Sequence, residues 1–408
     1  MSRATITDFE AAPFEIIDGD RGKNYPKQNE FSDSGYCLFL SATNVTRNGF
    51  QFSKCQFVTE QKDEALRKGK LQREDVVLTT RGTIGNVAHF NTSVTYEHMR
   101  INSGMVILRC KVEKILPTYL YHFLRSPSFH GQVNSLRSGV AQPQLPIRDM
   151  RRIKMPLPLL PEQQRIASIL SSYDHLIENN RRRIQLLEQA ARLLYKEWFV
   201  HLCFPGHEHV KIIDGVPEGW EIMPLGNIVA TNVESYKARE LPNEINYIDI
   251  SSVTEGRIIT KNAVSSNDAP GRARRKAKSG DVIWSNVRPN LRAYALILEP
   301  DENDVFSTGF TVLSPVAVPF SYLYVLVTTD EFVGHLVNHA TGVSYPAVRP
   351  DDFERAVVWV PSPQVLELFH EKTEPILRLI SVLEEEAKPL TEARDLLLPR
   401  LMNGEITV

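Results

Sequence analysis

Arg81 and Arg288 each follow a short apolar run, "EDVVLTTRG" and "GDVIWSNVRP", and a guanidinium there offers a rigid fork that fits guanine O6 and N7. Amides lie close behind in both places, Asn86 and Asn290, and an amide can read adenine. Arg292 and the run Arg272, Arg274, Arg275 and Lys276 are cations suited to phosphates. Gln142, Gln144, Tyr345 and Arg349 carry polar or aromatic groups able to reach base edges, and the turn "IDGDRGKNYP" offers Arg21, Lys23 and Asn24. This is the chemistry of recognition, built from donors, acceptors and cations. Each reading has a structural alternative. Arg81 and Arg288 could brace turns through internal ion pairs, the Gln142 to Arg349 set could simply terminate a globule, and the Arg21 turn could be a solvated loop.

Catalytic signatures are absent. The chain has no G-x-x-x-x-G-K-S/T phosphate loop, no Gly-rich dinucleotide loop, no H-E-x-x-H, no nucleophile elbow and no methyltransferase-like N-P-P-F or D-P-P-Y stretch. "PDD" followed far later by "EAK" has a nuclease-like order, but Glu386 and Lys388 fall in a helical pattern and read as solvated charges. His201, Cys203, His207 and His209 crowd one connector, where so dense a spacing reads as a solvated loop rather than a zinc site. Cys37, Cys55, Cys110 and Cys203 form no C-x-x-C pair, so neither disulfides nor a metal are expected, and no cofactor is. A net charge of -2 gives no general support for nucleic-acid binding, so recognition would rest on local clusters such as "GRARRKAK". No run reaches the roughly 18 apolar residues of a membrane span, and "MSRATITDFEAAPF" is charged where a signal peptide is apolar, so a cytoplasmic protein is expected.

The elements that would carry these residues occur twice. "SGVAQPQL" (Ser138 to Leu145) aligns with "TGVSYPAV" (Thr341 to Val348) at an offset of 203. Upstream, "FLSATNVTRNG" aligns with "YIDISSVTEG", and the strand carrying Arg81 with that carrying Arg288, after a one-residue slip. Short β-branched runs such as "MVILRC" and "FTVLS" read as strands, and "PTYLYHFLRSPSF" and "FSYLYVLVTTDEFVGHLVNHA" as short helices. Two mixed α/β globules are implied.

After each globule comes an apolar Pro-rich bridge and a long helix. In the first helix Ile166, Leu170, Tyr173, Ile177, Asn180, Ile184, Leu187, Ala191, Leu194 and Trp198 step alternately by four and three residues, a coiled-coil seam. The same offset lands on Phe369, Thr373, Ile376, Ile380, Leu383, Ala387, Leu390, Arg394, Leu397 and Leu401, most of them apolar. The two helices are therefore expected to pair. At 1.5 Å per residue the first forms a rod on the order of 50 Å long, more than one DNA turn of about 35 Å. Asn180 is expected to fix register or leave room for a partner, Arg394 to reach for water at the seam edge, and Pro375 and Pro389 to bend the second helix. The basic run "NNRRRIQ" reads as a solvated or subunit-facing helix surface.

With "PLPLLPEQQRIASILSSYDHLIENNRRRIQLLEQAARLLYKEWF", "VPEGWEIMPLGNI" and "RDLLLPRLMNGEI", nearly the whole chain resembles the specificity subunits of type I restriction-modification systems. The resemblance implies an α+β fold with a pseudo-twofold internal repeat: two target-recognition domains (1–157 and 204–361) separated by two long helices (158–203 and 362–408) in an antiparallel coiled coil. Each domain would read one half of a split, asymmetric double-stranded DNA target. The helices, with Ile166, Leu170, Ile177, Asn180, Ile184, Leu187, Trp198, Ile380, Leu390 and Leu397, would dock two DNA-adenine methyltransferase subunits, which a restriction subunit can join. Catalysis would belong to those partners. Two departures stand out: the first globule lacks an entry like "PEGWEIMPLG", so its N-terminal edge could be trimmed or built differently, and the second helix lacks "PEQQ". The competing reading is a coiled-coil scaffold that binds proteins and never touches DNA.

Overall fold

The computed structural model describes residues 5–139 and 143–408. The chain forms two compact units, Met1–Glu178 with Ala387–Val408, and Asn179–Glu386. Among the described residues no helix is long and apolar enough to cross a membrane.

In the first unit Val76–Thr79 is buried throughout and Met105–Cys110 over its first four residues, which is why these β-branched runs form central strands. They sit in an antiparallel sheet of order Phe14–Asp18, Met105–Cys110, Val76–Thr79, Val87–His89. A second sheet runs Phe57–Val58, Cys37–Leu40, Met99–Ile101, its last pair parallel. The helices Pro117–Phe123 and Pro127–Leu136 supply Phe123 and Phe129 to the core, and each begins with Pro at the first turn, where a missing N–H is harmless.

The second unit repeats this order. Val229–Thr231, Phe310–Pro315, Val282–Ser285 and Tyr294–Leu296 form the corresponding sheet, extended by Val253–Ile258. Asn262–Ser265, Glu244–Ile248 and Asp304–Ser307 form the second sheet, again with one parallel pair, extended by Ala273–Arg275. The entry strands correspond too. Thr5–Asp8 pairs antiparallel with Lys154–Leu157, as Glu221–Pro224 does with Val357–Val360. Phe9 N–H then bonds Ile153 O at 2.9 Å, and Leu225 N–H bonds Ala356 O at 2.8 Å. The first globule's edge is thus built like the second's, without the motif.

The long helices are Leu160–Tyr195, continued by a π turn over Lys196–Val200, and Pro363–Met402. In the first unit Ile166 and Leu170, near the start of one helix, share a core with Leu398, Leu401 and Met402, near the end of the other. In the second unit Tyr195, Trp198 and Phe199 meet Phe369 near the start of the later helix, with ring centroids of Phe199 and Phe369 4.9 Å apart. The helices therefore run antiparallel within each unit. Asn180 is buried and donates to Glu386 Oε2 at 3.3 Å.

One helix expectation is corrected. Arg394 does not reach for water; with 14% of its side chain exposed, it donates to Asp174 Oδ1 at 2.9 Å, because Asp174 already faces this side of the seam to meet Arg125. The helix Pro363–Met402 continues through Pro375 and Pro389. Each is exposed, so water can reach the carbonyl whose donor the proline lacks.

Candidate nucleic-acid interface

In the first unit the hairpin after Val76–Thr79 is tied to the turn Asn102–Gly104: Thr80 N–H and Arg81 N–H both donate to Gly104 O, at 2.8 and 3.2 Å. Arg21, from a loop some 60 residues earlier, reaches the same turn and donates to Ser103 O at 3.3 Å and to Asp18 Oδ1 at 3.1 Å. Gln144 is bridged to Arg81 and Ser138, and Leu145 N–H donates to Thr80 O at 2.9 Å. Arg21, Arg81 and Gln144, separated in sequence, are brought to one edge and all three are exposed. The Arg81 side chain makes no hydrogen bond or ion pair among the described residues. Lys23 is exposed nearby in sequence, whereas Asn24 is turned inward, its amide donating to Ala65 O at 2.9 Å. The Asn86 amide donates to Val45 O at 2.9 Å and so fastens the hairpin base. Gln142 lies outside the described residues.

The second unit repeats the frame with different side chains. Asn286 N–H bonds Gly309 O at 2.8 Å, Val348 N–H bonds Asn286 O at 2.9 Å, and Ala347 bridges Val287 and Thr341. Val287 thus occupies Arg81's place in the frame, and Arg288 lies one residue further, at Gly82's place. Both turn the chain in the left-handed region, Gly82 at φ 71° and Arg288 at φ 51°, a conformation costly for arginine. Three contacts hold it there. Arg288 N–H donates to Pro346 O at 2.7 Å, and its guanidinium lies over the Tyr345 ring, 4.6 Å from the centroid, with Nη2 donating to Ser344 O at 3.1 Å. Gly342, at φ 105°, makes the loop possible, since a Cβ there would come within 3.1 Å of Tyr345 O.

Arg272 joins this edge through the next turn, its carbonyl accepting from Thr308 N–H at 2.8 Å and its Nε donating to the Tyr247 hydroxyl at 3.2 Å; it is exposed. The rest of the basic cluster is more internal. Arg274 donates to Ala273 O and Arg275 to Ser235 Oγ, and burial holds the Arg275 pKa below its usual value, with Nε left unpaired. Lys276 lies over Tyr236 and 3.8 Å from Glu234. Arg292 is bonded to Asp330 and 3.8 Å from Glu255, so it braces the turn instead of standing open to phosphate. Asn290 and Arg349 are exposed, Arg349 with its N–H on Asp352 Oδ2 at 2.7 Å.

Sequence reading named Tyr345, which is 70% exposed, but missed the apolar residues Val343 and Leu291, 103% and 62% exposed. A valine beside an obligatory left-handed glycine was the available signal. It also missed Arg137, exposed immediately before Ser138. Among the described residues no three metal-ligating side chains are grouped to hold a metal, and His207 Nδ1 lies 2.8 Å from Phe204 O.

On the long helices, Ile166, Leu170, Ile177, Asn180, Ile184 and Trp198 are buried, and Leu187, Ile380, Leu390 and Leu397 half-buried. The seam is consumed within the chain, as a seam must be. The apolar residues left outward are others, including Leu176, Leu186, Leu193, Val382 and Leu396, each more than half exposed.

Residues 14–189 match the family described as the type I restriction modification DNA specificity domain. The chain is 25% identical to the type I restriction enzyme MjaIX specificity subunit of Methanocaldococcus jannaschii, covering 82% of this chain and 78% of that one. It is 21% identical to the type I restriction enzyme HindI specificity subunit of Haemophilus influenzae, covering 95% and 98%. The crystal structure of a type I restriction-modification system S subunit from M. genitalium superposes with a TM-score of 0.61 over 98% of this chain and 96% of that chain, at 16% identity, and so shares the fold.

Proposed function

We propose, for a chain that belongs to the type I restriction-modification specificity subunits, that each compact unit reads one half of a split DNA target through the edge just described. The chain is the non-catalytic specificity component. One observation supports this reading above others: in both units loops distant in sequence converge on equivalent turns, Ser103–Gly104 and Thr308–Gly309, and display arginines there. Arg81 and Arg21 would make base and phosphate contacts in one unit, Arg288 and Arg272 in the other. Because Arg288 stands where the first unit has Gly82, and Val287 where it has Arg81, the two half-sites differ and the target is asymmetric.

The long helices, in this reading, set the number of unread base pairs between the half-sites. Their outward apolar residues, Leu176, Leu186, Leu193, Val382 and Leu396, dock two DNA-adenine methyltransferase subunits, and a restriction subunit can join them. No cofactor is required by this chain, and its place of work is the cytoplasm. The test is co-expression with the cognate modification subunit and mapping of methylated adenines. A bipartite, asymmetric target is expected. A continuous target, or methylation that is unaffected by deleting this chain, overturns the reading.

A further inference from the structure

The internal repeat provides a control for one unexplained group. In the first unit Asp75 is fully matched: Arg109 Nε donates to Oδ1 at 2.9 Å, Arg109 Nη2 to Oδ2 at 2.8 Å, and Gln72 N–H to Oδ2 at 2.7 Å. Strand register fixes the counterparts. Val76 and Val77 pair with Leu108 and Ile107, as Val282 and Ile283 pair with Leu313 and Val312. Asp281 therefore corresponds to Asp75, and Ser314 to Arg109. The backbone contact is kept, Lys278 N–H donating to Asp281 Oδ2 at 2.8 Å. The guanidinium is not.

Asp281 is 3% exposed, and its Oδ1 is buried without a hydrogen-bond partner. The Ser314 hydroxyl lies close enough to favour the charged carboxylate without completing a bond to Oδ1, and burial pushes the Asp281 pKa up. A buried carboxylate oxygen left in this way is costly unless something answers it. Asp281 and Ser314 line a cavity of about 370 Å³ together with Tyr236, Asp301 and Asp304. Lys276, the counterpart of the Lys70 whose carbonyl Arg109 also bonds, lines it as well. Its ammonium is engaged with Glu234 and the Tyr236 ring, and Lys278 forms no ion pair among the described residues. Lys261 already holds Asp301 and Asp304, donating to them at 2.6 and 2.7 Å, so the carboxylate left without its cation is Asp281, where the other unit holds an arginine. No three metal-ligating side chains are grouped among the described residues, and the paired N–H bonds that Arg109 gives Asp75 in the other unit point to an organic cation.

We propose that this cavity binds a guanidinium group, answered by the Asp281 carboxylate as Arg109 is answered by Asp75. A planar fork suits a carboxylate better than an ammonium does, since it can bond both oxygens as Arg109 does at Asp75. The group could come from a small molecule or from an arginine of a partner polypeptide, and the experiment separates these. Isothermal titration of the full chain at constant ionic strength uses agmatine as the probe and putrescine, its diamine counterpart, as the control. Saturable binding of agmatine, tighter than putrescine, is expected. It should weaken at least about tenfold in Asp281→Asn, which keeps the Lys278 contact, and in Ser314→Arg, which supplies the missing guanidinium from within. Ser314→Arg should also raise the thermal midpoint, which shows that the variant is folded. Assembly with the modification subunit is then compared: if Ser314→Arg weakens it, the natural occupant is a partner's arginine, and if assembly is unchanged while agmatine binding is lost, it is a small molecule. No saturable agmatine binding, or equal binding to all three proteins, overturns the proposal.

Discussion

The guanidinium of Arg288 lies 4.6 Å above the ring of Tyr345, although the two residues come from different loops. Stacking fixes the plane of the fork before DNA arrives, so little entropy remains to be lost on a bidentate contact. Arg288→Ala is expected to cost about 1 to 3 kcal/mol on one half-site only. Tyr345→Ala should cost less, about 0.5 to 1 kcal/mol, and the double variant less than the sum. Competition binding with DNAs altered in one half-site at a time, at fixed salt, measures this. Equal loss on every DNA would reassign Arg288 to phosphate.

Much of this arrangement was legible because the chain repeats itself. The Gly-Val pair marks a loop that only a left-handed glycine can turn, and a four-three spacing of apolar residues has little meaning besides a helical seam. Other features were hidden for physical reasons. The slip between Arg81 and Arg288 was visible, but not that Val287 takes Arg81's place, since the 3-10 turn Pro289–Leu291 changes the length of the second hairpin. Spacing shows which residues face a seam, not what they meet, so the Asp174 partner of Arg394 was not readable. Arg292 and Asn86 have the right type for DNA contact, yet Asp330 and the Val45 carbonyl claim them. A cation in sequence is a candidate until its nearest anion is known.

His122 predicts a pH dependence in the first unit. Burial, aided by Arg125, Arg394 and His89, pushes its pKa down to about 3, against the pull of Asp174, and the ring is 3.1 Å from Ser171 Oγ. A histidine with a depressed folded pKa favours the native state fully above the unfolded value near 6.5, and this stability is lost as pH falls toward 3. The slope is about 1.4 kcal/mol per pH unit. Urea midpoints between pH 6.5 and 5 should therefore fall more steeply for the native chain than for His122→Gln. The difference of slopes is the readout, because His89, also held down by burial, titrates in both. Parallel curves would show that the buried ring takes no part.

Gln163 explains why "PEQQ" appears only once. It is fully buried, accepting from Leu116 N–H at 2.9 Å and donating to Lys114 O at 3.0 Å and Pro158 O at 2.8 Å. Its counterpart at the repeat offset, Leu366, sits in the second unit's apolar core. Gln163→Leu strands one buried donor and two acceptors and is expected to cost about 3 kcal/mol, read as a lowered thermal midpoint, whereas Gln163→Glu should keep only the Leu116 bond. If leucine is tolerated as it is at 366, the three bonds are not what fastens the helix start.

If the long helices set the spacing between half-sites, their length must be readable in DNA. Seven residues span about 10 Å of helix, close to the rise of three base pairs. Removing seven keeps the four-three phase of the seam, so buried positions such as Ile184 and Leu383 are replaced by others of the same register and both helices can still pair. The deletion must be made in both helices, since shortening one alone would break their pairing. Mapped methylation with the shortened chain should show the same two half-sites separated by about three fewer base pairs. An unchanged gap in a chain that still directs methylation would mean that the helices do not measure the distance.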